Sequence, residues 1–187
     1  MKRFNQFVYR VRGLLMLPPC AVLVLVTLRE TEMDRVVWPV GLVVFFAGVL
    51  LRVWAQMHLH YRLRVRKQLT TTGPYAFVRN PIYIANTTML LGLTVVSELL
   101  WFLPVMLAWC AVVYTFTVRR EEAHLLEKYG QPYAEFLATT PRWLPRLTRR
   151  TAPRASVRRF LAPSIVAELH CLLWLVPLVA KEFILHH

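Results

Sequence analysis

The chain is poor in acidic charge and in glycine. Asp and Glu number 10 against 23 Lys and Arg, and only six glycines are spread over 187 residues. With no Gly-rich turn following a strand, the chain lacks the dinucleotide-binding fingerprint of a βαβ fold. Its three cysteines, Cys20, Cys110 and Cys171, stand far apart in apolar stretches. There is no C-x-x-C pair and no histidine at zinc-ligand spacing, so they read as reduced, buried thiols and no metal is expected. Disorder is excluded too, because it pairs high net charge with low hydrophobicity. Here a formal net charge of +13 accompanies 57% hydrophobic residues, more than the roughly 45–50% of a soluble domain.

What the chain does have is long apolar runs. About 20 residues of helix cross a bilayer core, and five runs qualify or come near: 14–28, 36–59, 81–97, 99–118 and 161–185. The first follows Lys2, Arg3, Arg10 and Arg12 like a signal peptide, but no small-x-small cleavage site follows its apolar core. It is kept as a span. The expectation is a single all-α integral membrane domain with about five transmembrane helices.

The basic residues orient it. Cytoplasmic loops hold an excess of Lys and Arg; the N-terminus carries four, the segment 60–80 five and the segment 119–160 ten, while Arg29, Arg35 and Lys181 fall on the other side. This places the N-terminus and both long loops in the cytoplasm, with a prokaryotic plasma membrane as the expected location. Because the basic residues flank apolar spans, anionic lipid head groups are the expected partners rather than nucleic acid.

Ionisable residues inside a span are costly and usually mark a site. Arg52 lies about 12 Å from the cytoplasmic end of its helix, and Gln56 and His60 follow on the same face, one and two turns on. Glu168 reaches a comparable depth from the same side, so a buried Arg52–Glu168 pair is one expectation; snorkelling of Arg52 to the interface is the other. His170 reads as a core histidine.

Two polar segments interrupt the runs. The first is Gln68-Leu-Thr-Thr-Thr-Gly-Pro-Tyr75-Ala-Phe-Val-Arg-Asn80-Pro81-Ile-Tyr83. Asn80 is a favoured N-cap and Pro81 a favoured first helical residue, so a helix begins here with its positive dipole end at the boundary, an anion site by construction. Gly73-Pro74 permits a turn that returns Tyr75 toward it. The second segment runs from Arg119-Arg120-Glu121-Glu122 through His124 and Gly130 to Tyr133 and closes with Pro141-Arg142-Trp143-Leu144-Pro145. Gly130 serves as a helix stop, followed by a short amphipathic piece to about residue 138. Glu121 and Glu122 either pair with Arg119, Arg120 and Lys128 on a solvated face or offer carboxylates to a cationic ligand.

These blocks, in this order and spacing over roughly residues 60–146, resemble the isoprenylcysteine carboxyl methyltransferase family and its relatives that methylate phospholipids or thiols. The resemblance implies an integral membrane methyltransferase using S-adenosylmethionine at the cytoplasmic face, with a lipid or prenylated acceptor entering from the membrane. Carried over, the cofactor contacts are Lys67, Gln68, Leu69, Thr70, Tyr75, Asn80, Pro81, Tyr83 and Glu121. The residues assigned to catalysis are Glu121, together with Arg52 and His60 from the polar stripe and Arg120 as a cation in place of a family Arg. An acceptor that must lose a proton would bring in His60, His58 or His124. Two positions depart from the pattern. Asn80 stands where the family commonly has His, and Thr117 where members acting on prenylcysteine have Arg, so the acceptor's identity does not transfer; the segment 161–185 lies beyond the resemblance. Two other readings compete: an NADPH-dependent membrane reductase of the sterol-reductase type, which shares a similar Gly-x-Tyr…Arg-x-Pro-x-Tyr segment, and a non-catalytic lipid-binding protein.

Overall fold

The structure is a computed structural model, and it describes residues 13–27, 34–60, 69–146 and 157–185. Lys67, Gln68 and the N-terminal basic cluster lie outside these residues. All regular structure among the described residues is helical. The helices are α1 (Leu17–Leu25, entered through a 3₁₀ turn Leu14–Met16), α2 (Asp34–His60), α3 (Pro81–Val96), α4 (Leu103–Tyr129, entered through Leu100–Phe102), α5 (Gln131–Thr139), α6 (Leu161–Glu168) and α7 (Val176–Leu185).

Among the described residues, three stretches are long and apolar enough to cross a membrane, Arg35–His60, Leu100–Tyr129 and Arg158–Lys181. The apolar helices at Leu14–Leu25 and Pro81–Val96 are shorter; the 16 residues of α3 rise about 24 Å against a hydrocarbon core of about 30 Å. Outward-facing Val43, Leu50 and Leu173, each 67–70% exposed, give the bundle the apolar exterior that lipid, not water, solvates.

The expected single helix over 161–185 is broken. Between α6 and α7 the chain tightens into a 3₁₀ stretch, Leu169–Trp174. Pro177 has no N–H to give the Leu173 carbonyl, which interrupts the α pattern locally.

The most extensive helix contact is between α2 and α3, and glycine makes it possible. A Cβ on Gly92 would stand 2.5 Å from the Phe45 backbone nitrogen, one on Gly41 2.8 Å from that of Val96, and one on Gly48 2.8 Å from that of Met89. Such distances are closed to any side chain, so these three positions let the two backbones touch, the usual device where helices pack without a hydrophobic driving force. Phe45, Met89, Leu93 and Val96 fill the seam, and Met106, Cys110 and Val113 extend it to α4.

At the end of the bundle remote from the polar segments, Glu98 makes the α3–α4 turn at φ 64° while 6% exposed. It accepts a hydrogen bond from Trp38 Nε1 at 3.2 Å. Lys181 Nζ donates to the Val26 carbonyl at 3.0 Å, tying α7 to the end of α1.

Candidate active site

Past Gly48 the α2–α3 pair stops being dry. A cavity of about 450 Å³ opens at its polar end, between α2, the loop 69–80, the start of α3, the last turns of α4, and α5. Seven of the nine residues expected to hold a cofactor line it: Leu69, Thr70, Tyr75, Asn80, Pro81, Tyr83 and Glu121, the last assigned to both roles. Arg52 and Gln56 line its inner part. His60 and Arg120 are not among the lining residues: His60 ends α2 and Arg120 stands half-buried on α4.

The loop is shaped by a glycine. Gly73 has φ +62°, and a Cβ there would fall 2.4 Å from the His58 ring, so the backbone can lie on the imidazole only without a side chain. His58 Nδ1 is 3.0 Å from Thr72 Oγ1, which pins the loop to α2 and occupies the ring structurally. Pro74 then starts a 3₁₀ turn that buries Tyr75. Burial, followed by the Glu121 carboxylate, pushes the Tyr75 phenol well above the ordinary tyrosine range, so this hydroxyl stays protonated as a donor.

The start of α3 differs from expectation in one respect. Asn80 occupies the cap position without a side-chain cap bond. Its carbonyl takes the N–H groups of Tyr83 and Ile84, while Nδ2 reaches the Arg142 carbonyl at 3.2 Å. The reason is the segment 141–146. It straps the loop through Arg79 N–H to the Pro141 carbonyl at 2.9 Å and Arg146 N–H to the Phe77 carbonyl at 3.0 Å, and so offers Asn80 a competing acceptor.

The two adjacent glutamates on α4 have different fates. Glu122 is held by Arg79 at 2.8 Å and by Arg142 at 2.5 Å, and that hydrogen bonding keeps the Arg142 guanidinium charged to still higher pH. Its partners come from the loop and the strap, not from the neighbouring helical cations considered from sequence. Glu121 accepts the Tyr83 hydroxyl at 2.7 Å and faces the cavity. Tyr133, buried on α5, has its pKa pushed up to about 12, by burial first and then by Glu122.

Deeper in, the Arg52–Glu168 pair is formed. Nε donates to Glu168 Oε2 at 2.5 Å, and a guanidinium nitrogen donates to Asn86 Oδ1. Arg52 therefore does not snorkel; Glu168, 3% exposed, holds it inward. Asn86 escaped sequence reading although its signal was present, as a polar residue one turn beyond Tyr83 in an otherwise apolar run. Arg79 and Glu122 were visible as types but not as partners, because 43 positions separate them. Thr117, standing where an acceptor-binding Arg was looked for, is fully buried and donates to its own helix at the Val113 carbonyl.

Two polar atoms at the cavity complete its chemistry. Thr70 Oγ1 and Arg79 Nε are buried with no hydrogen-bond partner among the described residues, and both residues line the cavity. Buried polar atoms in native proteins are almost always paired.

The phospholipid methyltransferase family matches residues 37–132, from the second turn of α2 to the start of α5. The chain belongs to that family. It is 26% identical over 119 residues to the nickel-cobalt-cadmium resistance protein NccN of Alcaligenes xylosoxydans xylosoxydans, a match covering 64% of this chain and 54% of that protein. It is 31% identical over 97 residues to the cobalt-zinc-cadmium resistance protein CzcN of Cupriavidus metallidurans, covering 52% and 44%. The chain thus spans about half the length of these curated relatives. No solved structure matches. The family match contains the cavity's residues on α2, α3 and α4 and stops before the strap and before Glu168.

Proposed function

We propose that the protein is an S-adenosylmethionine-dependent methyltransferase acting on a lipid or lipidated acceptor, with its cofactor in the α2–α3–α4 cavity at the cytoplasmic membrane face. The observation that carries this is the cavity's donor set. Its volume of about 450 Å³ falls in the small-molecule range of about 300–1,000 Å³, and the groups it presents match the charges of that cofactor. Glu121, aligned by Tyr83 at 2.7 Å, suits an ammonium or ribose hydroxyls. The positive dipole end of α3 and Arg79 Nε suit a carboxylate, and Thr70 Oγ1 can bond to the same ligand.

When bound, the cofactor supplies a methyl carbon already activated by a sulfonium. The protein's part is then to position two reactants and exclude water. The strap 141–146 and the Glu122 ion pairs hold the loop against α3 and α4, fixing the cofactor groove; the wall formed by α2 and α3 meets the membrane, from which an acceptor would enter.

The cation at the inner end is already neutralised. Arg52 is matched by Glu168 and hydrogen-bonded to Asn86, and Thr117 supplies no charge. An acceptor carboxylate would have no unmatched guanidinium to meet there, which favours a neutral or amine-bearing head group over a prenylcysteine carboxylate. The family name, phospholipid methyltransferase, agrees with this choice. The curated relatives are named for resistance to cadmium, cobalt, nickel or zinc, and a methylated membrane component contributing to such resistance is the reading that reconciles the two.

The test is methyl transfer from labelled S-adenosylmethionine, with purified protein and vesicles of phosphatidylethanolamine, compared with a prenylated cysteine carrying a free carboxylate. The expected outcome is label in the lipid fraction, lost in Glu121→Gln; label in neither acceptor, with lipids of the host membrane also unlabelled, would reject the reading.

A further inference from the structure

A second group of donor atoms lies outside the cavity, where the C-terminal apolar segment breaks. Glu168 ends α6, and His170 and Cys171 follow in the 3₁₀ stretch. Three residues per turn bring positions i and i+3 into register, so Cys171 Sγ comes within 3.4 Å of Glu168 Oε2. The same sulfur is 3.8 Å from His170 Nε2, and one ligand atom from each of the three residues lies within 4.8 Å of the others. A tetrahedral ion with bonds of about 2.0–2.3 Å to oxygen, nitrogen and sulfur needs donor-to-donor edges of about 3.3–3.8 Å. Both distances at the sulfur fall on that scale.

The histidine is oriented for the task. His170 Nδ1 lies 2.6 Å from the Ala167 carbonyl, and a carbonyl can only accept, so in the neutral ring the proton is on Nδ1. The Nε2 lone pair is thereby the one turned toward Cys171, the arrangement by which a backbone carbonyl fixes the tautomer of a ligating imidazole. Glu168 and Cys171 are each 3% exposed, whereas His170, expected from sequence in the core, is exposed on the exterior of the bundle.

We propose that Glu168, His170 and Cys171 form a three-residue binding site for one thiophilic divalent cation, of the class of Zn²⁺, Co²⁺ or Cd²⁺. A mixed O, N, S set with a thiolate discriminates against Mg²⁺ and Ca²⁺, which require oxygen ligands. On binding, the Cys171 S–H bond breaks, the sulfur–metal bond forms, and one proton is released to the medium. Glu168 also holds Arg52, so the cation and the guanidinium share one carboxylate, and occupation would loosen Arg52 toward the cavity. That last link rests on the methyltransferase reading; the site itself does not.

The experiment is titration of the detergent-purified full chain with Co²⁺ alone, followed by absorption. The expected result is one equivalent bound with a thiolate-to-cobalt charge-transfer band, absent in Cys171→Ser and with affinity at least about 10-fold weaker in His170→Ala. His170 is exposed, so that variant reports even should Cys171→Ser fail to fold. Glu121→Ala should keep the band, which separates failure of this site from failure of the cofactor site. No charge-transfer band in the wild-type chain, a band surviving Cys171→Ser, or full affinity in His170→Ala would overturn the proposal.

Discussion

The two halves of the α2–α3 pair are built from opposite materials. From Gly41 to Phe45, and again at Gly48, the helices meet backbone to backbone across Gly92 and Met89, with no polar side chain between them. One turn beyond, Arg52, Gln56, Tyr83 and Asn86 replace the small residues and the same pair encloses a cavity. Side-chain size closes one half; ion pairing and hydrogen bonds hold the other open. The difference shows how a short membrane chain can place a polar site, by keeping a rigid dry seam immediately beside it.

Filling the seam is the strongest way to break that contrast. Gly92→Leu would drive a side chain into the Phe45 backbone, which sits 2.5 Å from a bare Cβ; overpacking costs about 3 kcal/mol or more where backbones must part. Loss of folded protein in detergent, read by thermal unfolding, is expected. Removing Glu168 attacks the open half from inside. Glu168→Gln leaves Arg52 with its charge unmatched, and breaking a buried pair from one side costs about 3 kcal/mol. The double variant Arg52→Leu/Glu168→Leu should recover most of that stability, which a double-mutant cycle would measure.

Glu121→Ala sharpens the comparison, since it removes chemistry without touching the seam. S-adenosylhomocysteine affinity is expected to fall about 100-fold, the scale of one charge-assisted hydrogen bond, with small change in the unfolding temperature of the ligand-free protein. The smallest effect is at α5. Because the Tyr133 pKa stands raised to about 12 from 10, the folded state retains a proton that the unfolded state loses. Its contribution is intact below pH 10 and declines as pH rises from 10 toward 12. Tyr133→Phe should flatten that part of the stability profile and leave neutral pH unchanged there.

Much of this was legible in the sequence, for physical reasons. Long apolar runs bounded by Pro81 and Gly130 give α3 and α4 their limits, since proline preorganises a first turn and a glycine at φ +59° ends a helix. The depth of Arg52 and Glu168 on separate runs made their pairing thinkable. Other features depend on contacts between distant segments, which periodicity does not encode. Asn80 turned from its own helix because the Arg142 carbonyl was near, and Glu122 found Arg79 and Arg142 in place of its helical neighbours. The run 161–185 read as one helix, and the convergence of Glu168, His170 and Cys171 was not legible in it, because it arises in the 3₁₀ stretch that breaks that helix.

The most direct test of the central claim is a thermal-stability titration of the purified chain with S-adenosylmethionine, S-adenosylhomocysteine and NADPH, since a ligand of the native state must raise stability. The account predicts that both adenosyl compounds raise the unfolding temperature, that NADPH does not, and that Glu121→Ala abolishes the rise. Stabilisation by NADPH alone, or no response to either adenosyl compound, would contradict it.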